Sequence, residues 1–378
     1  MHLFLLLDKL CSMKKKLRVG ILFGGQSAEH EISLLSAKSV YDAIDKKKYD
    51  VCLIGIDKKG QWHLGNETNF LSHPDDPKKV ALNLLTKEAT LLPYAADKQL
   101  VHTDSVENGE HLDVLFPLLH GPNGEDGTVQ GLLKLAHIPF VGADVIGSAI
   151  AMDKDVTKRL LRDANIPTAK FIALKKIDQD SISFKKIVKS LGLPFFVKPA
   201  NLGSSVAVSK VKNEEQFKKA VQDAFSYDNK ILIEEYIQGK ELWCSVLGNE
   251  KPIASLIGEI VPEHEFFDYA AKYYDDSDTL YHFPVPFPQP LLQQMQDLAI
   301  KTVQTLCCEG MARVDFFLDE KNNIFINEIN TIPGFRETSL YPKLWKASGI
   351  SYIELIDRLI MLAVERHTRD SQLKTTYA

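Results

Sequence analysis

Residues 311–334 constrain the fold more tightly than any other stretch of the chain. Two apolar runs, Met311 to Leu318 and Ile324 to Asn330, flank the polar cluster Asp319 to Asn323, and such an arrangement forms a β-hairpin. A turn centred near Lys321 and Asn322 sets Arg313 opposite Asn330 and Asp315 opposite Glu328, with Phe317 opposite Ile326 as the next pair. Because side chains alternate along a strand, all of these project from one face. Two carboxylates and an amide beside an apolar patch suit oxygen ligation of Mg²⁺ brought in by phosphates. A surface charge ladder would alternate in the same way. It would not require the tight backbone turn that Pro333 and Gly334 make directly after the acids.

The chain has 378 residues, enough for two or three domains with a well-buried core. Its formal charge of −5 gives no general attraction for nucleic acid or an anionic membrane, so phosphate binding must rest on placed lysines and backbone amides. Cys11, Cys52, Cys244, Cys307 and Cys308 lack the spacing of a disulfide frame or a zinc site, which fits a reducing cytoplasm. No segment is long enough to span a membrane. The apolar start, Met1 to Leu7, lacks the parts of a signal peptide. With Met13 directly before the first strand, residues 1–12 read as an extension.

Leu17 to Phe23 reads as a buried strand, Gly24 to Ser27 as a tight loop and Glu31 to Ile44 as an amphipathic helix. Val51 to Ile56 gives a second strand, residues 66–110 a polar excursion without assigned role, and Asp113 to Pro117 another strand. The first domain closes near Gly142. A helix from Asp153 to Ala164 and strands at Thr168 to Leu174, Pro194 to Lys198 and Val206 to Val211 make a small α+β domain ending near Ile237. Strands at Glu241 to Leu247 and Pro252 to Ile260, a helix at Gln289 to Cys308, the hairpin and a helix from Tyr352 to about Arg366 make the third, with the last dozen residues frayed. Residues 261–289, long and rich in aromatics, read as a lid rather than a packed loop.

Lys198 ends a strand and leads into Gly203, Ser204 and Ser205. Backbone amides, hydroxyls and a point charge can wrap phosphates, although a Gly-Ser turn after a lysine is commonplace. Neither a P-loop nor a dinucleotide fingerprint is present. Glu234 and Glu241 flank a strand end, where carboxylates can accept from an exocyclic amine or from ribose hydroxyls, or simply be solvated. His120 follows a strand where an α/β sheet offers its ligand crevice. Glu29, at the mouth of the first helix, can hold a substrate amine or only satisfy the helix dipole.

In their order along the chain, Gly24-Gly25 with Glu29, His120 to Thr128, Met152 to Lys154, Val197 to Pro199, Gly203 to Ser205, the aromatic lid, Arg313 to Asp315 and Asn327 to Gly334 resemble the D-alanine:D-alanine ligases of the ATP-grasp superfamily. The resemblance runs from Leu17 to about Arg366. It implies a mixed α/β and α+β chain in a three-domain ATP-grasp fold: a Rossmann-like N-terminal domain at 13–142, a central domain at 143–237 and a C-terminal one at 238–368, with residues 369–378 as an extension. It also implies ATP, two Mg²⁺ ions that Mn²⁺ can replace, D-alanine as substrate and a homodimer.

By the same resemblance, Lys154, Lys198 and Ser205 contact ATP phosphates, Glu234, Glu235 and Ile237 the adenine edge, and Glu241 the ribose, with Phe317 also in the nucleotide site. Asp315, Glu328 and Asn330 hold the metal. Lys272 reaches from the lid to the γ-phosphate. Glu29, Ser204 and Tyr273 surround the first D-alanine near His120, Ser339 and Leu340 receive the second, and Arg313 with the Gly334 N–H stabilises the tetrahedral oxygen. Tyr273 fits dipeptide formation; phenylalanine there would favour D-lactate. Ala207 departs from the family's usual glycine. The competing readings are another carboxylate-amine ligase and a nucleotide-binding module that has lost catalysis.

Overall fold

The computed structural model of the protein describes residues 16–65, 70–74, 76–83, 88–93, 98–204, 206–261, 280–283 and 285–377. Among these the strands form sheets of seven, four, five and two. In the N-terminal sheet, Leu17–Gly24 runs parallel to both Tyr49–Ile56 and Val114–Leu118. Its buried apolar run reads as a central strand covered on both faces. Helix His30–Ala43 packs against it, and the turn between them brings Gly24 so close to Ile56 that a Cβ would meet the Ile56 carbonyl oxygen at 2.1 Å.

The polar excursion is not featureless. Trp62–Gly65, Glu88–Leu91, Leu100–His102 and Ser105–Glu110 extend this sheet as antiparallel strands. They are short and only partly apolar, so their pairing rather than their periodicity defines them.

The central sheet is antiparallel throughout, in the order Phe171–Lys175, Lys230–Glu235, Phe195–Pro199, Ser209–Val211. It has its own core around Phe195, Phe217 and Ile231. The helix before it, Lys154–Asp163, is capped by Asp153, whose carboxylate accepts the Asp155 and Val156 N–H groups at 3.1 Å. This satisfies two of the donors that a helix N-terminus leaves open.

The C-terminal sheet runs Leu280–His282, Ile253–Val261, Gly239–Gly248, Gly310–Asp319, Ile324–Asn330. Its last two strands are the predicted hairpin, with Arg313 opposite Asn330 and Asp315 opposite Glu328. One pair differs. The register shifts after Asp315, so Phe316 faces Ile326 and Phe317 faces Phe325. Asn327 is the extra residue, a β-bulge that bends the strand beside the acids.

Helix Tyr352–Ser371 runs past Arg366 instead of fraying there. Two anchors hold it: Arg366 is buried and donates to the carbonyls of Phe140 (2.8 Å) and Gly142, and Arg369 grips Glu309 at 2.7 and 3.0 Å. The N- and C-terminal sheets share one core, in which Phe116 meets Phe335 with ring centroids 5.4 Å apart.

Candidate functional site

Three groups of side chains converge between the sheets. The first is cationic. Lys198, at the end of its strand, is buried and forms an ion pair with Oε2 of Glu234. Oε1 of the same carboxylate pairs with Lys158, which is 0% exposed. Lys154, one turn earlier on the helix, donates to the Leu202 carbonyl at 2.6 Å and lies 3.5 Å from Glu328 Oε2.

The electrostatics of this group follow from burial and pairing. Burial alone pulls Lys198 down, yet Glu234 and Glu328 outweigh it and hold its pKa above the ordinary lysine value. For Lys158 burial wins: Glu234 opposes it, neighbouring Lys198 adds to it, and the net shift is downward. Burial pushes Glu234 up, but the two lysines more than reverse this and leave it below the usual carboxylate range.

Glu234 was expected as an open strand-end acceptor. The structure turns it inward instead, 3% exposed, with both oxygens committed to lysines. Glu235, the next residue, accepts the Lys170 N–H at 2.6 Å and so fastens a neighbouring segment. Ile237 is half-buried just past the strand end. Glu241 lies opposite Phe317 in the adjoining sheet and adds to the field that raises Lys198.

The second group is the face of the hairpin. Arg313 Nε and Nη2 donate to the two oxygens of Asp315 at 2.7 Å each, and the guanidinium stacks over Trp243, 5.4 Å from the ring centre. Asn330 Oδ1 accepts the Ile332 N–H at 3.1 Å. No three His, Cys, Asp or Glu side chains converge on one point among the described residues. A cation here would rest on two carboxylates and an amide oxygen, plus whatever oxygens a nucleotide brings. The donor set fits a hard cation, since a carboxylate that accepts two hydrogen bonds from arginine still has lone pairs to offer.

The third group lines the N-terminal side. Ser204 Oγ donates to Glu29 Oε1 at 2.5 Å, joining the glycine loop to the first helix. Glu29 was expected at the mouth of that helix; it is the N-cap residue, and its backbone N–H donates to Ser27 Oγ at 3.0 Å. His120 Nδ1 lies 3.0 Å from the Ile332 carbonyl oxygen. A carbonyl can only accept, so Nδ1 carries the proton. Its Nε2 is buried with no hydrogen-bond partner among the described residues. Burial lowers the pKa of His120, with Glu29 and the carbonyl opposing, which leaves a neutral ring with a lone pair to offer.

Beside it, Glu125 accepts the N–H groups of Gly121 at 2.7 Å and Ile332 at 3.3 Å. Burial, reinforced by the charge of Glu29, pushes its pKa up to about 8. The Pro-Gly turn faces the start of helix Leu340–Ala347: a Cβ on Gly334 would come within 3.3 Å of Ser339 Oγ. Leu340 packs against the small cluster around Trp243 and Leu344.

Most expected residues are thus brought together, while Ser205, Lys272, Tyr273 and most of the lid at 261–289 lie outside the described residues. Lys158 and Glu125 were not assigned from the sequence. The spacing Lys154, Lys158, Leu161 does place Lys158 on the helix face that Leu161 buries, and Glu125 stands inside the glycine-rich motif after His120.

Known proteins resemble this chain over nearly its whole length. Residues 18–143 match the family described as D-ala D-ala ligase N-terminus and residues 160–361 its C-terminus. The D-alanine--D-alanine ligase of Oceanobacillus iheyensis is 53% identical over 364 residues, covering 96% of this chain and 99% of that protein. D-alanine--D-alanine ligase A of Escherichia coli K12 is 51% identical over 362 residues, covering 96% and 100%. Among solved structures, the D-alanine-D-alanine ligase from Coxiella burnetii superposes with a TM-score of 0.82 at 38% identity, covering 94% and 96% of the two chains. The VanG D-Ala:D-Ser ligase from Enterococcus faecalis gives 0.79 at 32% identity, covering 92% and 100%.

Proposed function

Because the chain belongs to the D-alanine–D-alanine ligase family and joins two D-alanines at the expense of ATP for peptidoglycan precursors, we propose that the three groups above are its working parts. Lys154 and Lys198 bind the phosphates, Glu241 and Phe317 face the nucleoside, and Asp315, Glu328 and Asn330 hold two Mg²⁺ ions. Glu29, Ser204 and His120 seat the first D-alanine, and Ser339 with Leu340 the second. Ser205, Lys272 and Tyr273 keep the roles that the family pattern implies. The lobes divide at 142 and 237, and the chain works in the cytoplasm as a homodimer.

The reading rests on one observation above all: Asp315 faces Glu328 across the hairpin while Lys154 sits 3.5 Å from that glutamate. Carboxylates for a cation and an ammonium for a phosphate therefore share one edge.

The chemistry follows from these positions. The carboxylate of the first D-alanine, with its amine held by Glu29, attacks the γ-phosphate. A mixed anhydride forms and ADP leaves. Lysines beside the phosphates offset the negative charge of this step, which depends chiefly on positioning. Divalent ions held by Asp315, Glu328 and Asn330 would supply further neutralisation of the phosphate charge. The amine of the second D-alanine then attacks the activated carbonyl. Arg313 and the Gly334 N–H receive the developing oxyanion, a donor there being worth about 3 kcal/mol. Collapse expels phosphate and leaves the dipeptide.

The test is phosphate release from ATP and Mg²⁺ with D-alanine, L-alanine, or D-alanine plus D-lactate or D-serine, with products identified by mass. D-alanine-dependent release yielding D-alanyl-D-alanine is expected, and Lys198→Met should abolish saturable ATP dependence. Full ATP affinity in that variant would refute the proposed phosphate site.

A further inference from the structure

Lys158 takes no direct part in the reaction just described, yet it is the most deeply enclosed charge of the site. An ammonium removed from water costs several kcal/mol, and an apolar residue would fill the same volume without that cost. Its surroundings suggest why a lysine stands there. Nζ pairs with Glu234 Oε1 and donates to Thr168 Oγ1 at 2.8 Å. Thr168 in turn donates to the Ile326 carbonyl at 2.9 Å, and Ile326 N–H donates back to Pro167 at 2.8 Å. Ile326 lies on the hairpin strand that carries Glu328 and Asn330.

We infer that Lys158 is a positioning residue for nucleotide binding: it shares Glu234 with Lys198, leaving Lys198 charge for a phosphate, and braces the pair against the hairpin through Thr168. The inference rests on the ATP site proposed above. Two lysines around one carboxylate carry a net positive charge. With Lys158 gone, Glu234 and Lys198 become a closed neutral pair, and an incoming phosphate must compete with the carboxylate for the remaining lysine.

A merely structural lysine makes a different prediction, because removing Glu234 as well would not then help. Initial rates of the full chain should be measured with ATP and D-alanine varied separately. Lys158→Met should raise the KM for ATP by at least about tenfold and leave that for D-alanine within about twofold. Adding Glu234→Gln to the same chain should recover most of the loss by freeing Lys198. An unchanged ATP KM, or a loss shared by both substrates that the second change does not relieve, would overturn the inference.

Should Lys158→Met not fold, Thr168→Val keeps the charge and removes the brace. It should raise ATP KM a few-fold, roughly the worth of one buried hydrogen bond, and no rise would count against the inference. Lys198→Met separates the two readings. If it leaves ATP binding intact, the phosphate site is wrong; if it abolishes binding while the Lys158 and Thr168 variants bind normally, only the inference fails.

Discussion

Arg313 holds both oxygens of Asp315 from two residues away on the same strand, Nε to Oδ1 and Nη2 to Oδ2 at 2.7 Å each. One fork therefore fixes the carboxylate proposed to hold metal, and it belongs to the guanidinium proposed to receive the tetrahedral oxygen. Lysine cannot make the paired contact. Arg313→Lys should lower kcat by about 100-fold or more with a smaller change in the KM for ATP. Steady-state kinetics check this, and a kcat within a few-fold of the parent chain would remove Arg313 from the chemical step.

The link from Ser204 to Glu29 joins positions 175 residues apart and should govern the first D-alanine. Ser204→Ala leaves Glu29 without that donor, so the KM for the first D-alanine should rise by about 5- to 30-fold while ATP affinity holds. Isothermal titration of ATP alongside D-alanine kinetics separates the two. A matching loss of ATP affinity would mean that the glycine loop as a whole has moved.

Glu125 gives a pH signature. Its pKa rises from an ordinary 4.5 to about 8 on folding, so the folded chain keeps a proton that the unfolded chain releases. The resulting stability is complete below about 4.5, declines as pH rises and is spent by about 8. Urea unfolding between pH 5 and 8 should show this loss, at most ~1.4 kcal/mol per pH unit from this one group. Glu125→Gln should flatten the slope, and an unaltered slope in that variant would assign the dependence to other groups.

Ala207 sits at φ +54°, a conformation that costs a residue with a Cβ roughly 1–2 kcal/mol. The family's usual glycine at this position has a physical reason. Ala207→Gly should stabilise the chain by about 0.5–1 kcal/mol after allowing for the greater freedom of glycine in the unfolded state, seen as a rise of a degree or two in the unfolding temperature. A lower unfolding temperature would mean that the loop relies on the Cβ for packing.

The sequence carried the hairpin register as far as Asp315 and Glu328 because alternation around a polar turn fixes which residues face each other. It did not carry the bulge at Asn327, since an extra residue leaves the apolar pattern readable in either register. Glu234 was legible as a strand-end carboxylate but not in its orientation, which depends on two lysines arriving from other elements. Lys158 was harder still: a lysine on an amphipathic helix ordinarily reaches water, and only the assembled lobes enclose it. The strands between residues 62 and 110 escaped notice because two- to six-residue segments show no reliable period, and the terminal helix outran its apolar stripe through anchors made by arginines.

The core shared by the N- and C-terminal sheets bears on how the chain is made. Phe116 and the inner face of the first sheet pack against Phe335, Tyr341 and Trp345, residues that leave the ribosome some two hundred positions later. The first sheet emerges with an apolar face that helix His30–Ala43 covers only in part, whereas the central sheet emerges with its own core complete. Biosynthesis therefore finishes the middle of the molecule before its beginning. The nascent chain carries an open hydrophobic surface until its last helix arrives, and chains truncated before residue 335 should be recognised by chaperones rather than persist as stable N-terminal fragments.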